Sequence, residues 1–503
     1  YMTSRDTTKR TDANADPFEL LGLRAFINCC GSRTVYGGSR MAPEVLQAMV
    51  AASTRFVNVP QLLDAAGKRI AELLGAPAAL ITSGGSGALF VGAAGAATCG
   101  DPERIVRLPR IDWPQRHIVM PRGGRFAYDH AMRASGLEIV EAGTPDEMAR
   151  ALDTAAMVAV LGTFDPQATM KLEDCVALAR PRGIPVLVDA ASEYPRSPDP
   201  YLQRGASMVA YSGGKYLRGP QSTGILLGEA GWVAAAALNT APHTGIGRHL
   251  KVSKEEIAGL VAAVELWISG HDAVQEDKAY RAELEFCAAA AEKTRGVTAE
   301  IFKLSGPDEP TPRLRVTWDR QRIGLDGPQL RERLAAGDPS VQVDDRFALE
   351  NSIVVLPFNL QPGEALIVGQ RIAAELGAAS ARAMATSPPS PGLDIAGTWE
   401  VRVSMTAGEV VHAFDLQQQG AAVTGTHRMR ALANPITGKL SGAQVELESF
   451  HPIEGSTLAY RFIGEISDGA MRGRAELGTT AQTIPGPVNK REYGEVRWVA
   501  QRR

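Results

Sequence analysis

The stretch Ser212-Gly-Gly-Lys215-Tyr-Leu-Arg-Gly-Pro220-Gln221 decides how the rest of this chain is read. It lies between two short apolar runs, Ala206-Ser-Met-Val-Ala-Tyr-Ser212 and Thr223-Gly-Ile-Leu-Leu-Gly228. Runs without a polar face read as strands buried on both sides, the pattern of a mostly parallel sheet covered by helices. A lysine in a turn of small residues directly after such a strand is placed to point into a cleft. Taken alone, SGGK is more often a surface turn, so the surroundings have to carry the reading.

Outward from that turn the same rhythm continues. AALITSG (78–84), RHIVMPR (116–122), GLEIVEAG (136–143), AMVAVLGTF (156–164) and IPVLVDA (184–190) are further strand candidates. Between them PEVLQAMVAAS, LLDAAGKRIAELLG and MKLEDCVALARPRG repeat apolar residues every three to four positions, as helices do. The expected class is α/β, with a mostly parallel central sheet. Ser253 followed three residues later by Glu256 has capping-box spacing and predicts a long helix through KEEIAGLVAAVELWISG, leading out of this large domain. From about Gly296 the runs LRVTWD, PQLRERLAAG, VQVDD, SIVVLPF and EALIVGQRIAAELG predict a small α+β domain. The Pro- and Ser-rich ATSPPSPG reads as a linker. After it, period-two runs such as GTWEVRVSM, VVHAFDLQQQG, GAQVELESF and TLAYRFIGEI predict an antiparallel, barrel-like all-β domain. The expected divisions are a disordered segment at 1–16, the large domain at 17–270 with an N-terminal arm, the small domain at 271–385, a linker at 386–392 and the β domain at 393–503.

Two further features belong with Lys215. Asp189, 26 residues upstream, ends the apolar run VLVD, and open α/β sheets present ligands at the C-terminal ends of their strands. A cap for the next turn is the alternative reading of that aspartate. Thr82-Ser83-Gly84-Gly85-Ser86-Gly87 lies between a strand and an apolar helix, where glycines let the backbone approach a phosphate and helix-start N–H groups can hold it. That loop has neither the P-loop lysine nor the dinucleotide glycine spacing. A phosphate loop, then a buried carboxylate, then a lysine is the order suited to pyridoxal 5'-phosphate (PLP). The lysine would carry the cofactor as a Schiff base, and the carboxylate would keep its ring nitrogen protonated.

INCCGSRTVYGG (27–38), ITSGGSGAL (81–89), VDAAS (188–192), YSGGKYLRGPQSTGILLG (211–228) and GRHLKVSKEEIAGLVAAVE (247–265) make residues 18–377 resemble the bacterial selenocysteine synthase family and its ammonia-lyase relatives. The resemblance implies PLP fold type I, with Lys215 and Asp189 catalytic and with Ser83, Gly84, Gly85, Ser86 and Ser212 around the cofactor phosphate. Phe126, in the Phe126-Ala-Tyr128-Asp-His130 cluster, is the candidate for stacking on the ring. Arg248 and Lys251, with Arg122 or Arg125 from the middle of the large domain, are the candidates for gripping an anionic substrate. No stretch of these residues reads as the family's tRNA-handling N-terminal domain, so none is expected, and the chain is not basic. Relatives acting on free amino acids, D-glucosaminate 6-phosphate ammonia-lyase among them, are therefore the better guide. The expected reaction is an α,β-elimination that starts with α-proton removal. Racemisation, aldol cleavage and transamination share that first step, and a non-catalytic sensor or assembly protein on the same fold is a further alternative.

Bulk properties agree with a globular enzyme. The 503 residues exceed what one core usually serves, and 45% are hydrophobic and 22% charged. A net charge of -3 offers no footing for nucleic acid, and no long uninterrupted apolar run predicts a membrane span. The polar first residues do not read as a secretory signal, so a cytoplasmic protein is expected. Five cysteines without a CxxC pair predict free thiols and no metal site. A homodimer or larger homo-oligomer is implied by the resemblance only.

Overall fold

A computed structural model describes residues 16–162, 168–303, 311–344, 347–380, 393–481 and 489–503. They fall into two compact units. Residues 32–162, 168–273, 393–481 and 489–503 form one; 16–31, 274–303, 311–344 and 347–380 form the other.

The larger unit is built on a seven-stranded sheet of β1 (Ala78–Ser83), β2 (His117–Pro121), β3 (Glu138–Ala142), β4 (Ala155–Leu161), β5 (Val186–Asp189), β6 (Met208–Ser212) and β7 (Thr223–Gly228), each matching an expected run. Their order is β1-β7-β6-β5-β4-β2-β3, and only β7 runs antiparallel to its neighbours. The sheet is covered on both faces by apolar clusters, one around Ile70, Val188, Ile225 and Leu260 and another around Leu89, Met120, Leu187 and Leu226. Helix α1 (Gly84–Thr98) is apolar all round and almost wholly buried, which is why it shows no polar face. Helix α2 (Asp129–Arg133) is a short turn of five residues. Helix α3 (Lys254–Gly270) begins at the expected capping box, with Ser253 and Glu256 each accepting from the other's backbone N–H.

The same unit contains a closed barrel of eight antiparallel strands: β8 (Gly397–Met405), β9 (Gly408–Gln419), β10 (Ala422–Arg428), β11 (Ala433–Ser441), β12 (Gln444–Ile453), β13 (Ser456–Ser467), β14 (Ala470–Ala481) and β15 (Asn489–Arg502). Strand β11 is absent from the sequence expectation, because Asn434-Pro435 and Gly438 read as turn residues. Closure removes the edges that an open sheet would expose. Alternate residues point inward, and Trp399, Phe414, Phe462 and Trp498 fill the middle with edge-to-face contacts among the last three.

In the smaller unit Val297–Phe302, Arg313–Trp318 and Ser352–Val355 form an antiparallel sheet over a core that includes Leu284, Leu330 and Ile372. The segment expected as an arm of the large domain belongs here instead: Ile27–Cys29 pairs in parallel with Val341–Val343, which places residues 16–31 in this unit. Three-residue strands give little periodicity, so their partner was not readable. The expected disordered segment lies almost entirely, and the linker entirely, outside the described residues. All five cysteines are unbridged. Among the described residues no single helix is long and apolar enough to cross a membrane.

Candidate active site

The C-terminal ends of β5 and β6 lie side by side, the loop after β1 packs against them, and the three sequence features meet there. A Cβ built on Gly85 would stand 2.9 Å from Ala191 Cβ and 3.8 Å from Ser212 Cβ, so the Ser83–Gly87 loop touches both the segment just past Asp189 and the end of β6 that leads into Lys215. Its seat on β7 requires glycine on both sides: a Cβ on Gly224 would come within 2.3 Å of the Gly84 carbonyl carbon, and Gly84 itself adopts φ +73°. Thr82 Oγ1 donates to Gly84 O at 2.9 Å and fixes the turn. The N-cap residue of α1, Ser83, makes no side-chain capping bond, so the first N–H groups of a 15-residue helix are left for a ligand anion.

Lys215 leaves β6 in the Gly213–Gln221 turn, which is closed by Gly219 N–H donating to Gly213 O and by Thr223 Oγ1 donating to Pro220 O at 2.7 Å. From outside, Ser39 Oγ donates to Gly214 O at 3.0 Å. That contact gives the Val35-Tyr-Gly-Gly-Ser39 stretch a task in holding the turn. Lys215 Nζ donates to Ser192 Oγ at 3.1 Å. Asp189 is 7% exposed and accepts from Ala191 N–H at 2.9 Å. Burial pushes its carboxyl above the usual range, more than the Ala191 N–H and the Lys215 charge pull it down. A buried carboxylate so little compensated by the protein is matched by a ligand that brings a positive charge.

Several of the expected residues are elsewhere or otherwise engaged. Phe126 does not offer a face to a cofactor ring: it is 4% exposed and packs in the cluster around Phe90, Met120 and Met132. In that turn Phe126 and Asp129 face inward, while Tyr128 and His130 face out. Arg125 is not free to bind substrate either. Its guanidinium donates to Asp129 Oδ2 at 2.5 Å and to Glu454 Oε2, on the barrel, at 2.6 Å. Arg122 is paired with Glu147 at 3.0 Å, with its side chain 58% exposed. Arg248 and Lys251 are exposed and flank His249 and Leu250, which line a cavity of about 240 Å³ together with Ser86, Gly87, Phe90 and Ala131. That cavity opens beside the phosphate loop.

Sequence reasoning missed Ser192, three residues past Asp189 in the quoted VDAAS, and a second layer behind the site. Tyr211 donates to buried Asp199 at 2.7 Å and Tyr201 to Glu193 at 2.5 Å. A column of stacked rings, Tyr216 on Tyr194 at 4.1 Å and Tyr194 on Trp267 at 5.2 Å, braces the residue after Lys215. Such layers join residues far apart in sequence, which no local pattern announces. Among the described residues no cluster of three or more His, Cys, Asp or Glu side chains is arranged to hold a metal.

A lysine, a buried carboxylate and an open helix start at one end of a mostly parallel sheet define a PLP enzyme of fold type I. Comparison with known proteins agrees. The chain is 31% identical over 368 residues to D-glucosaminate-6-phosphate ammonia lyase of Salmonella typhimurium, covering 71% of this chain and 96% of that protein. It is 30% identical over 378 residues to a 5'-C-glycyluridine monooxygenase-decarboxylase of a Streptomyces species, covering 72% of this chain and 92% of that one. A solved structure of D-glucosaminate-6-phosphate ammonia-lyase superposes with TM-score 0.65 and 28% identity, over 73% of this chain and 100% of the other. No family model matches the chain. It belongs to the selenocysteine-synthase-like family of PLP enzymes that includes the D-glucosaminate-6-phosphate ammonia lyases, and it is a PLP-dependent lyase of that family.

Proposed function

We propose that this enzyme converts a free β-hydroxy amino acid that carries a second anionic group, such as a phosphate ester, to a 2-oxo acid and ammonia by α,β-elimination of water. The observation that carries this reading is the meeting of Lys215, Asp189 and the Ser83–Gly87 loop beside a cavity lined by His249 and Leu250, the sequence neighbours of Arg248 and Lys251. Bound PLP supplies the electron sink that acidifies the proton on the amine-bearing carbon. Ser83, Ser86 and Ser212, with the N–H groups of Gly84 and Gly85, would hold its phosphate, and Asp189 would hold a proton on its ring nitrogen. Lys215 Nζ takes the α proton and passes it to the substrate's β hydroxyl, which leaves as water when the Cβ–O bond breaks; a second water hydrolyses the resulting enamine to the 2-oxo acid and ammonia, and Ser192 Oγ keeps the Lys215 amine aimed at the cleft. Arg248 and Lys251 bind the substrate's anionic groups, and Arg122 stands further out, tied to Glu147.

We further place the enzyme in the cytoplasm as a homodimer. In support of association, Leu46, Val50, Phe56, Val57 and Val59 form an exposed apolar stretch on the larger unit. The test is to incubate holoenzyme with D- and L-amino acids, including β-hydroxy and phosphorylated ones, while assaying ammonia, 2-oxo acid and α-deuterium exchange. Ammonia and 2-oxo acid in equal amounts from a phosphorylated substrate are expected. Exchange without ammonia would point to a racemase or aminotransferase, and oxygen uptake with release of carbon dioxide to the chemistry named for the Streptomyces relative.

A further inference from the structure

The two-residue turn between β12 and β13, Glu454-Gly455, is pressed onto the Arg125–Arg133 segment of the same unit. Glu454 Oε2 accepts from Arg125 Nη2 at 2.6 Å and lies 3.8 Å from Arg133 Nη1. Both arginines also pair with Asp129, at 2.5 Å and 3.3 Å, and Arg125 Nη1 faces Glu141 at 3.8 Å. Asp129 is 1% exposed and Arg125 11%, so this network of two cations and three carboxylates has a nearly dry centre, and the barrel supplies one member. The turn is shaped for the contact. A Cβ on Gly455 would come within 2.1 Å of Phe126 O and 2.7 Å of Asp129 Oδ2, so only glycine fits there. Glu454 adopts φ +49°, a left-handed conformation in which glycine or asparagine would be at ease; a glutamate placed there brings a carboxylate that they lack.

What the network holds is α2. Its first residue is Asp129 and its last is Arg133, and Ala131 between them lines the cavity beside Ser86 and Gly87, with Ala134 one residue on. We propose that Glu454 is a positioning residue for the active site: through Arg125 and Asp129 the barrel sets the wall opposite the phosphate loop, and with it the fit of the cofactor phosphate and of the substrate lodged beside it. The barrel thus takes part in the site without placing any atom in it. The proposal rests on the PLP reading, but on no particular substrate.

The test uses the full-length chain with Glu454→Gln, Glu454→Asp and Gly455→Ala. Hydrogen–deuterium exchange of the peptide spanning residues 125–134 is followed, together with the apparent Kd for PLP and the melting temperature. Faster exchange in that peptide and roughly threefold to thirtyfold weaker PLP binding are expected for Glu454→Gln, with partial recovery in Glu454→Asp. Gly455→Ala should shift both readouts the same way, and if it fails to fold, the half-exposed Glu454 position still decides. Wild-type exchange and PLP affinity in Glu454→Gln would overturn the proposal, and a lowered melting temperature with both unchanged would do the same, reducing the turn to mere adhesion. Failure of the wild-type chain to bind PLP would instead refute the cofactor reading, while the exchange result stood on its own.

Discussion

At the end of β5 the Asp189 carboxylate is held against its own chemistry. Burial raises its pKa over that of an unfolded aspartate, so folding shifts its equilibrium toward the protonated form. The stability it contributes is complete only below the unfolded pKa of about 3.9 and is lost as pH rises through the higher folded value. At neutral pH Asp189→Asn should therefore stabilise the apoprotein. The same change should abolish most lyase activity by removing the partner of the ring nitrogen. Thermal melts of both apoproteins and an ammonia assay of both holoenzymes check the pair, and an Asp189→Asn apoprotein less stable than wild type would count against the account. Ser192→Ala is expected to lower kcat by roughly tenfold with little change in folding, since the side-chain bond it removes is the one to Lys215. The strand-end placement of Lys215 and Asp189 was legible because each follows an apolar run, and strand ends are where such sheets bind. Phe126 and Arg125 were misread for a different reason. Which side of an irregular turn faces the core depends on what packs over it, and what packs over that turn is Glu454-Gly455, more than three hundred residues away.

Inside the barrel, one end is lined by three histidines linked in series. His427 Nε2 meets His412 Nδ1 at 2.9 Å, His427 Nδ1 meets His451 Nε2 at 3.0 Å, and Asn434 and Ser449 close the chain on β11 and β12. Tyr460 on β13 is the other titratable group beside them, and their remaining neighbours include Phe414 and Phe462. Burial holds His412 down at about 4 and His427 at about 2, and lowers His451 as well. The unfolded chain takes up protons below about pH 6.5 that the folded barrel refuses, so stability is complete above that pH and falls toward pH 4. The loss is about 1.4 kcal/mol per pH unit for each histidine, or about 4 kcal/mol from His412 and His427 by pH 5. Melting followed by tryptophan fluorescence should show this acid sensitivity, reduced in His427→Gln; a flat profile between pH 7 and 5 would contradict it. Seven of the eight barrel strands announce themselves by alternation. The eighth, β11, hides because Pro435 and Gly438 interrupt the very pattern that strands are found by, while the closed ladder around it compensates for their weak local preference.

On the scale of the whole molecule, two compact units divide a chain whose sequence suggested three domains. The barrel and the seven-stranded sheet share one unit, in which Arg125 and Arg133 meet Glu454, and residues 16–31 join the small α+β unit through Ile27–Cys29. Strands and helices were readable from periodicity, which is local; the grouping of elements was not, because it depends on pairings across hundreds of residues. Attachment of PLP to Lys215 in this frame is open to one direct measurement. The holoenzyme is reduced with borohydride, digested and mapped by mass spectrometry. A pyridoxyl adduct is expected on the peptide containing Lys215 and none in Lys215→Ala; an adduct on another lysine, or no adduct in a chain saturated with PLP, would show that Lys215 does not carry the cofactor.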